Sequence, residues 1–458
     1  MRRQKTLHLD ESQSHTQWRA DDERLRVRVT NQPAVYPFIG ELARRFGCDR
    51  IVDFGLAYPA GLGSLAEDFD LMGLAAPEVV AHAREQLLSA TLLEWEPDAK
   101  LRVKMEGAAV VCSPSEHDAH ELLRSVRRQA WEASVIVVSV PAVAPVDFDS
   151  LDAELTGETS TTEATTVRDT RTAVLVPGSD TPPPASFSAV AYVTAFNEAD
   201  LIGTTIEHLT REGIGAYLID NWSTDGTWEI AQRLDLVGAE RFPAEGPSAH
   251  YEWRQLLGPV EELAATTRAD WLVHIDADER RESPWPGVSL RDGLWRVDQR
   301  GFNAVDHTIL TFPPIDDGFQ PGSDPERYFR HFEFGRNPGH FRQIKAWKRG
   351  KNRVDLASEG GHNASFEGRR VFPFNFLTKH YPFRSQEHGE RKIFRERQER
   401  WSPGERGEGW HIQYDHLRPG HRFVREPETL VPFDDFHRRY LIERLTRVGI
   451  PRPEWPPT

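Results

Sequence analysis

The feature that most constrains the fold is an apolar run that ends abruptly in acids. Residues 271–275 are apolar apart from one histidine, and Asp276, Asp278 and Glu279 follow directly. A short apolar run that ends in a polar turn predicts a buried strand. In a parallel α/β sheet, ligands bind beyond the carboxyl ends of the strands. The segment therefore predicts a site for Mg²⁺ or Mn²⁺, which prefer oxygen ligands, with a solvated acidic turn as the alternative.

Two more polar clusters follow predicted strands upstream. Residues 188–194 predict a strand that leads to Asn197 and Glu198. Residues 216–219 predict a second strand, which ends at Asp220. Because the carboxyl ends of parallel strands meet at one edge of a sheet, we expect all three polar clusters to share one crevice.

Helical patterns separate these strands. Asn197 is a favoured capping residue, and the sequence predicts a helix over 198–211 that stops at Gly213. Further helices are predicted at 228–234 and at about 250–266. Strands that alternate with helices are typical of a doubly wound α/β sheet.

The amino-terminal part has its own alternation of strands and helices. Strands are predicted at 50–54, 69–74, 108–112 and 134–140, and helices at 34–47, 77–88 and 116–131. This order predicts a smaller α/β domain with a parallel sheet over residues 1–145, behind a loose polar lead-in at 1–30. Residues 146–186 are rich in Thr, Ser and Pro and predict a flexible linker. The main domain is then predicted over 187–430, with an extension at 431–458.

Composition excludes several classes of protein. The net charge of −15 argues against a general nucleic-acid-binding protein. The two cysteines, Cys48 and Cys112, are not spaced like metal ligands. The sequence contains no apolar stretch long enough for a transmembrane segment, and its first residues are not followed by the apolar core of a signal peptide. We therefore expect a cytoplasmic protein.

The amino-terminal order resembles the Rossmann-type fold of S-adenosylmethionine-dependent methyltransferases over residues 45–145. The first strand ends in Asp53-Phe54-Gly55, as in the family's glycine-rich turn. Ala57 replaces the second glycine, and residues 74–76 (Leu-Ala-Ala) stand where the acid for the ribose is expected. These departures favour a cofactor-free structural remnant over an active methyltransferase.

The main domain resembles the family 2 glycosyltransferases of the GT-A fold, a doubly wound mixed sheet. The matching segments are 194–198 (TAFNE), 219–227 (IDNWSTDGT) and 274–279 (HIDADE), with Asn221 where the family often has a second Asp. The resemblance implies a nucleotide-sugar site that involves Ala195, Phe196, Glu198, Asp220, Ser223, Asp276 and Arg384. It also implies a site for Mn²⁺ or Mg²⁺ at Asp276, Asp278 and His380.

Basic residues downstream match a pattern in related bacterial glycosyltransferases. There, a late histidine completes the metal shell and basic residues contact the diphosphate, roles that the resemblance gives to His380 and Arg384, with Lys392 a weaker candidate. Ser385 is expected to cap a helix from 386 to about 401. Most of the charged run at 390–400 is expected to be a solvated helix face.

The resemblance implies a metal-dependent, inverting glycosyltransferase. A carboxylate would take the proton from the acceptor hydroxyl, and the candidates are Glu359, in a glycine-flanked loop, and Asp306. The donor would be a nucleotide sugar, with UDP favoured, and the acceptor a glycan, a lipid-linked intermediate or a small molecule. The alternatives are another nucleotide-using enzyme, an S-adenosylmethionine-dependent methyltransferase and a non-catalytic scaffold.

Overall fold

The computed structural model describes most of the chain. The described residues are 35–97, 99–101, 103–113, 119–130, 132–141, 155–163, 166–176, 181–335, 340, 343–407 and 414–448. The chain divides into two compact units, the first comprising 1–151, 158–174 and 447–458, and the second 152–157 and 175–446. The predicted lead-in at 1–30 lies outside the described residues.

The first unit is built on one seven-stranded sheet. Its strands are β1 Arg50–Phe54, β2 Asp70–Ala75, β3 Thr91–Glu94, β4 Ala108–Cys112, β5 Val135–Pro141, β6 Leu155–Glu163 and β7 Thr166–Leu175. Their order across the sheet is β3-β2-β1-β4-β5-β7-β6. Its described helices are α1 Val35–Phe46, α2 Pro59–Gly63, α3 Pro77–Gln86 and α4 Ala119–Gln129. The predicted α/β class and the four predicted strands are confirmed.

The chain order reverses direction between β1 and β4. Both neighbours of β1 run parallel to it, and Phe54 pairs with Leu74 on one side and Cys112 on the other. The order 3-2-1-4-5 is that of a doubly wound sheet, whose ligands bind at the point of reversal. The carboxyl ends of β1 and β4 therefore mark the candidate crevice of the first unit.

Two strands lie where the sequence predicts a flexible linker. Within 146–186, β6 and β7 form and join the edge of the seven-stranded sheet. Thr172, Ala173 and Val174 are fully buried. The prediction failed because Thr is common in strands as well as in linkers, and β-branched side chains pack well on a pleated surface.

The second unit contains two mixed sheets. Its strands are β8 Ala189–Ala195, β9 Gly215–Asp220, β10 Gly238–Arg241, β11 Trp271–Asp276, β12 Glu279–Glu282, β13 Ala304–Val305, β14 His307–Thr311, β15 His331–Phe334, β16 Ala346–Lys348, β17 Phe376–His380 and β18 Val431–Pro432. The six-stranded sheet has the order β10-β9-β8-β11-β16-β13, and the five-stranded sheet has the order β12-β17-β14-β15-β18. Strands β9, β8 and β11 are mutually parallel, as predicted, and β10, which the sequence analysis did not predict, pairs parallel to β9.

Helices connect these strands. They are α5 Ile202–Arg211, α6 Thr227–Ala231, α7 Trp253–Thr266, α8 Leu290–Gln299, α9 Pro325–Tyr328, α10 Gln386–Glu390, α11 Pro403–Gly407, α12 Phe436–Arg439 and α13 Leu441–Thr446, with a π-helical segment at Arg391–Arg397 and 3₁₀ turns at Ala357–Glu359 and Pro427–Thr429. Asn197 does not cap α5: it has a φ of 54°, and the helix starts five residues later. Ser385 does cap α10, because its side chain accepts a hydrogen bond from the His388 amide.

Within the described ranges, no helix has both the length and the apolar character needed to cross a bilayer. The cytoplasmic location stays a prediction. So does the finer assignment of the second unit to the GT-A fold, whereas its mixed α/β architecture is directly observed.

Gly61 lets α1 approach α2 in the first unit. A Cβ at Gly61 would lie 2.5 Å from a ring carbon of Tyr36, whose hydroxyl is held by Asp53. We expect Gly61→Ala to lower the free energy of unfolding by about 1–3 kcal/mol, measured by urea denaturation, because the ring cannot move aside. Gly63→Ala is the matched control in the same helix, since its Cβ would meet only a Leu87 methyl group, which can rotate. Equal losses in both variants would contradict this account.

Candidate functional site

Asp53 is the central polar residue at the point of chain reversal in the first unit. Its carboxylate is fully buried and accepts hydrogen bonds from the Tyr36 hydroxyl at 2.7 Å and the Ser113 hydroxyl at 2.8 Å. The Leu56 amide donates a third bond, at 3.3 Å. Asp53 therefore connects the ends of β1 and β4 with α1.

The turn after β1 folds tightly around this carboxylate. Gly55 and Leu56 both have positive φ values, of 105° and 51°. Positive φ is rare outside glycine, so the hydrogen bond from the Leu56 amide to Asp53 helps to hold a strained turn. The Leu56 side chain packs over Gly73, where a Cβ would lie 2.6 Å from a Leu56 methyl group.

Asp53 is buried, and among the described residues of the first unit no cation pairs with it. Burial raises the pKa of Asp53 to about 6, although the hydrogen bonds from Tyr36 and Ser113 favour the charged form. Residues 74–76 are buried apolar side chains at the end of β2, so no acid stands at the position expected to bind a ribose.

The raised pKa of Asp53 predicts a pH dependence of stability. A carboxyl whose pKa is about 6 when folded, against 3.8 as its ordinary value, binds protons more tightly in the folded state. Its contribution to stability is then least above pH 6 and rises as the pH falls from 7 to 4, by up to about 3 kcal/mol. In urea titrations, we expect the free energy of unfolding of the wild type, minus that of Asp53→Asn, to increase as the pH is lowered from 7 to 4. A constant difference would contradict the assignment.

In the second unit, three strand ends meet as the sequence predicts. Ala195 lies opposite Asp220, and Thr194 lies opposite Asp276. The Thr194 hydroxyl donates to Asp276 at 2.9 Å. The backbone N–H of Asn197 donates to the Ser223 hydroxyl at 2.9 Å, and this bond joins the first two polar clusters.

Lys345 provides the counter-charge for Asp276. Its side chain is 1% exposed, and its ammonium lies 3.0 Å from Asp276 and 3.5 Å from Glu279. Glu279 also pairs with the buried guanidinium of Arg281, at 2.7 Å. Desolvation alone would raise the pKa of Asp276, but Lys345 holds it well below its usual range. The sequence analysis missed Lys345, and its position in the basic segment 341–348 was the only signal.

Lys392 and Arg384 provide counter-charges for Asp278 and Glu198. The Lys392 ammonium lies 2.7 Å from both carboxylates. Arg384 pairs with Glu198 and, at 2.7 Å, with Asp200. Burial would raise the pKa of Asp278, yet Lys392 and then His380 lower it far below its usual range.

His380 and the two basic residues expected to bind a diphosphate therefore do lie at the strand ends. The His380 ring lies 3.7 Å from Asp278. Arg384 and Lys392 both contact Glu198. In the structure these basic side chains are engaged with acids of the protein itself.

Asp220 is held differently from the other acids. One oxygen accepts from the Ser223 amide at 3.1 Å and lies 3.3 Å from Arg241. The other oxygen is buried and has no hydrogen-bond partner among the described residues. Burial raises the pKa of Asp220 above its ordinary value. Nearby, the Arg400 guanidinium stacks 4.2 Å from the centre of the Phe196 ring.

The two candidate bases lie in loop-shaping positions. Asp306 accepts the backbone amides of His307 and Gln343, each at 2.8 Å, which is how a carboxylate holds a chain turn. Glu359 ends the 3₁₀ turn Ala357–Glu359 and is followed by Gly360 with a φ of 60°. A catalytic role for either residue stays a prediction.

Loss of Lys345 should expose the cost of burying Glu279. We expect Lys345→Met to destabilise the second unit by about 3 kcal/mol, because it leaves the buried Glu279 with less compensating charge, whereas Asp276 is 45% exposed and loses less. Lys348→Met is the control: its ion pair with Asp298 is 43% exposed on the lysine side and should be worth less than about 1 kcal/mol. Chemical denaturation monitored by Trp fluorescence measures both. Similar losses in the two variants would argue against a buried ion-pair network.

The similarities of this chain to known proteins are distant. No family model and no curated protein matches the sequence. Among solved structures, a TehB-like SAM-dependent methyltransferase from Corynebacterium glutamicum is 14% identical, with 36% of this chain and 98% of that chain covered and a TM-score of 0.26. The SAM-bound CalS10 amino pentose methyltransferase from Micromonospora echinaspora is 19% identical, with 33% and 60% covered and a TM-score of 0.19.

The expected glycosyltransferase activity is therefore corrected. The matched structures named above are methyltransferases. The same finding overturns the predicted nucleotide-sugar donor, UDP included, together with its glycan, lipid-linked or small-molecule acceptor.

The predicted Mn²⁺ or Mg²⁺ site at Asp276, Asp278 and His380 is wrong as well. The two aspartates already have protein cations as partners, because Lys345 forms an ion pair with Asp276 and Lys392 forms one with Asp278.

Proposed function

We propose that the chain is a methyltransferase whose first unit binds S-adenosylmethionine at the carboxyl ends of β1 and β4. The observation that carries the proposal is the sheet order β3-β2-β1-β4-β5, with Asp53 at its point of reversal. Ligands of doubly wound sheets bind at that point. The proposal rests on this geometry and on the Asp53-Phe54-Gly55 turn.

The residues that would hold the cofactor follow from the same geometry. Gly55 lets the backbone approach a ligand closely, and its φ of 105° is readily available to glycine. Asp53 fixes the turn through the Leu56 amide. When bound, S-adenosylmethionine would supply an electrophilic methyl group. The residues of this turn would position the cofactor.

A second candidate function is a cofactor-free scaffold. It is favoured by the apolar residues 74–76 and by the three hydrogen bonds that Asp53 already accepts within the protein. Under this alternative the first unit keeps its fold but binds no adenosyl ligand.

Ligand-dependent stabilisation separates the two candidates. We expect S-adenosylmethionine or S-adenosylhomocysteine, at 100 times its dissociation constant, to stabilise the full chain by about 2.7 kcal/mol in a thermal-shift assay. Asp53→Asn should abolish the shift, because the turn loses its charged acceptor. Asp70→Asn is the control, an exposed aspartate on β2 that pairs with Arg50.

The outcomes are distinct. A shift that survives in Asp53→Asn would place the ligand elsewhere. The absence of any shift with either ligand in the wild type would reject cofactor binding and leave the scaffold.

A further inference from the structure

Lys392 bridges two acids at the crevice of the second unit. Its ammonium lies 2.7 Å from the Oδ2 atom of Asp278 and 2.7 Å from the Oε1 atom of Glu198. All three side chains are at most 7% exposed. A buried ammonium that contacts two carboxylates occupies the place that a divalent cation with oxygen ligands would take.

Lys392 lies in a segment where the backbone is π-helical rather than α-helical. Ser385 starts an α-helix, which then widens into the π-helical segment Arg391–Arg397. The backbone N–H of Gln398 donates to the Ile393 carbonyl at 2.9 Å, a hydrogen bond between residues five apart, as in a π-helix. π-helical turns are rare and frequently lie at functional sites.

A second side chain of this segment also reaches the strand ends. Glu396 accepts a hydrogen bond from the Asn197 side chain at 3.0 Å. Lys392 and Glu396 therefore attach the π-helical segment to two residues that follow β8. The sequence predicts a solvated face for most of this charged run, with Lys392 set apart as a weaker candidate for the site, and Glu396 is a further exception.

The neighbouring acids have protein cations of their own. Arg384 binds Asp200 through two nitrogens, at 2.7 and 2.8 Å. Lys345 binds Asp276 at 3.0 Å. A metal ion at Asp278 would have to displace Lys392 and would then lie close to these other positive charges, which repel it.

We propose that Lys392 is the resident cation of this crevice and excludes divalent metal ions from it. The acidic strand end is then a charge-balanced site whose positive partner is supplied by the chain. This inference concerns the second unit and does not depend on cofactor binding by the first.

Manganese titration followed by electron paramagnetic resonance tests the proposal. The wild type is expected to bind Mn²⁺ no more tightly than Lys348→Met, which removes a surface ammonium. Lys392→Met should gain one Mn²⁺ site, about tenfold tighter or more, because it removes the ammonium from Asp278 and from one of the two Glu198 oxygens. Lys392→Arg should restore the exclusion. A purely structural role for Lys392 would lower stability without creating a metal site.

Two results would overturn the proposal. One is a Mn²⁺ site in the wild type that is lost in Asp278→Asn. The other is a folded Lys392→Met protein, verified by circular dichroism, that binds Mn²⁺ no better than the wild type. If Lys392→Met does not fold, Lys392→Gln replaces it in the same titration, since its amide keeps the polar contact without the charge, and the wild-type titration decides independently.

Discussion

The pairing of buried carboxylates with buried cations is the interaction on which the second unit depends. Parallel strands bring Glu198, Asp276 and Asp278 to one edge of a sheet, where their charges repel. An uncompensated charge in such a place costs several kcal/mol. Lys345 and Lys392 reach this edge from 69 and 114 residues along the chain from Asp276 and Asp278. The ion pairs therefore link segments that are distant in sequence.

The first unit meets the same constraint by a different route. Asp53 also ends a parallel strand and is fully buried, but its partners are two hydroxyl groups and one amide. Neutral donors compensate less well for burial than a lysine does. As a result the pKa of Asp53 is raised, whereas Lys345 lowers that of Asp276. These two acids at strand ends thus have opposite preferences for the proton.

Local pattern was enough to predict the elements that carry these acids. The apolar runs that become β8, β9 and β11 have polar residues directly after them, and in β1 Ile51 and Val52 directly precede Asp53. The partners were harder to predict, because nothing near Asp53 indicates Tyr36 or Ser113, and nothing near Asp278 indicates Lys392. The strands β6 and β7 were missed for another reason: their Thr-rich composition suits a linker, and only pairing with the rest of the sheet makes it a strand.

An acidic motif at a strand end is therefore only half of a site. The segment Asp276-Ala277-Asp278 indicates that a positive charge is required nearby, but a metal ion, an arginine or a lysine can each supply it. The identity of the cation is decided by whichever segment packs over the strand end. Here a π-helical turn delivers Lys392, and the ammonium contacts Asp278 and Glu198 at equal distances. A motif of this kind indicates metal chemistry only after the basic residues that pack against it have been located.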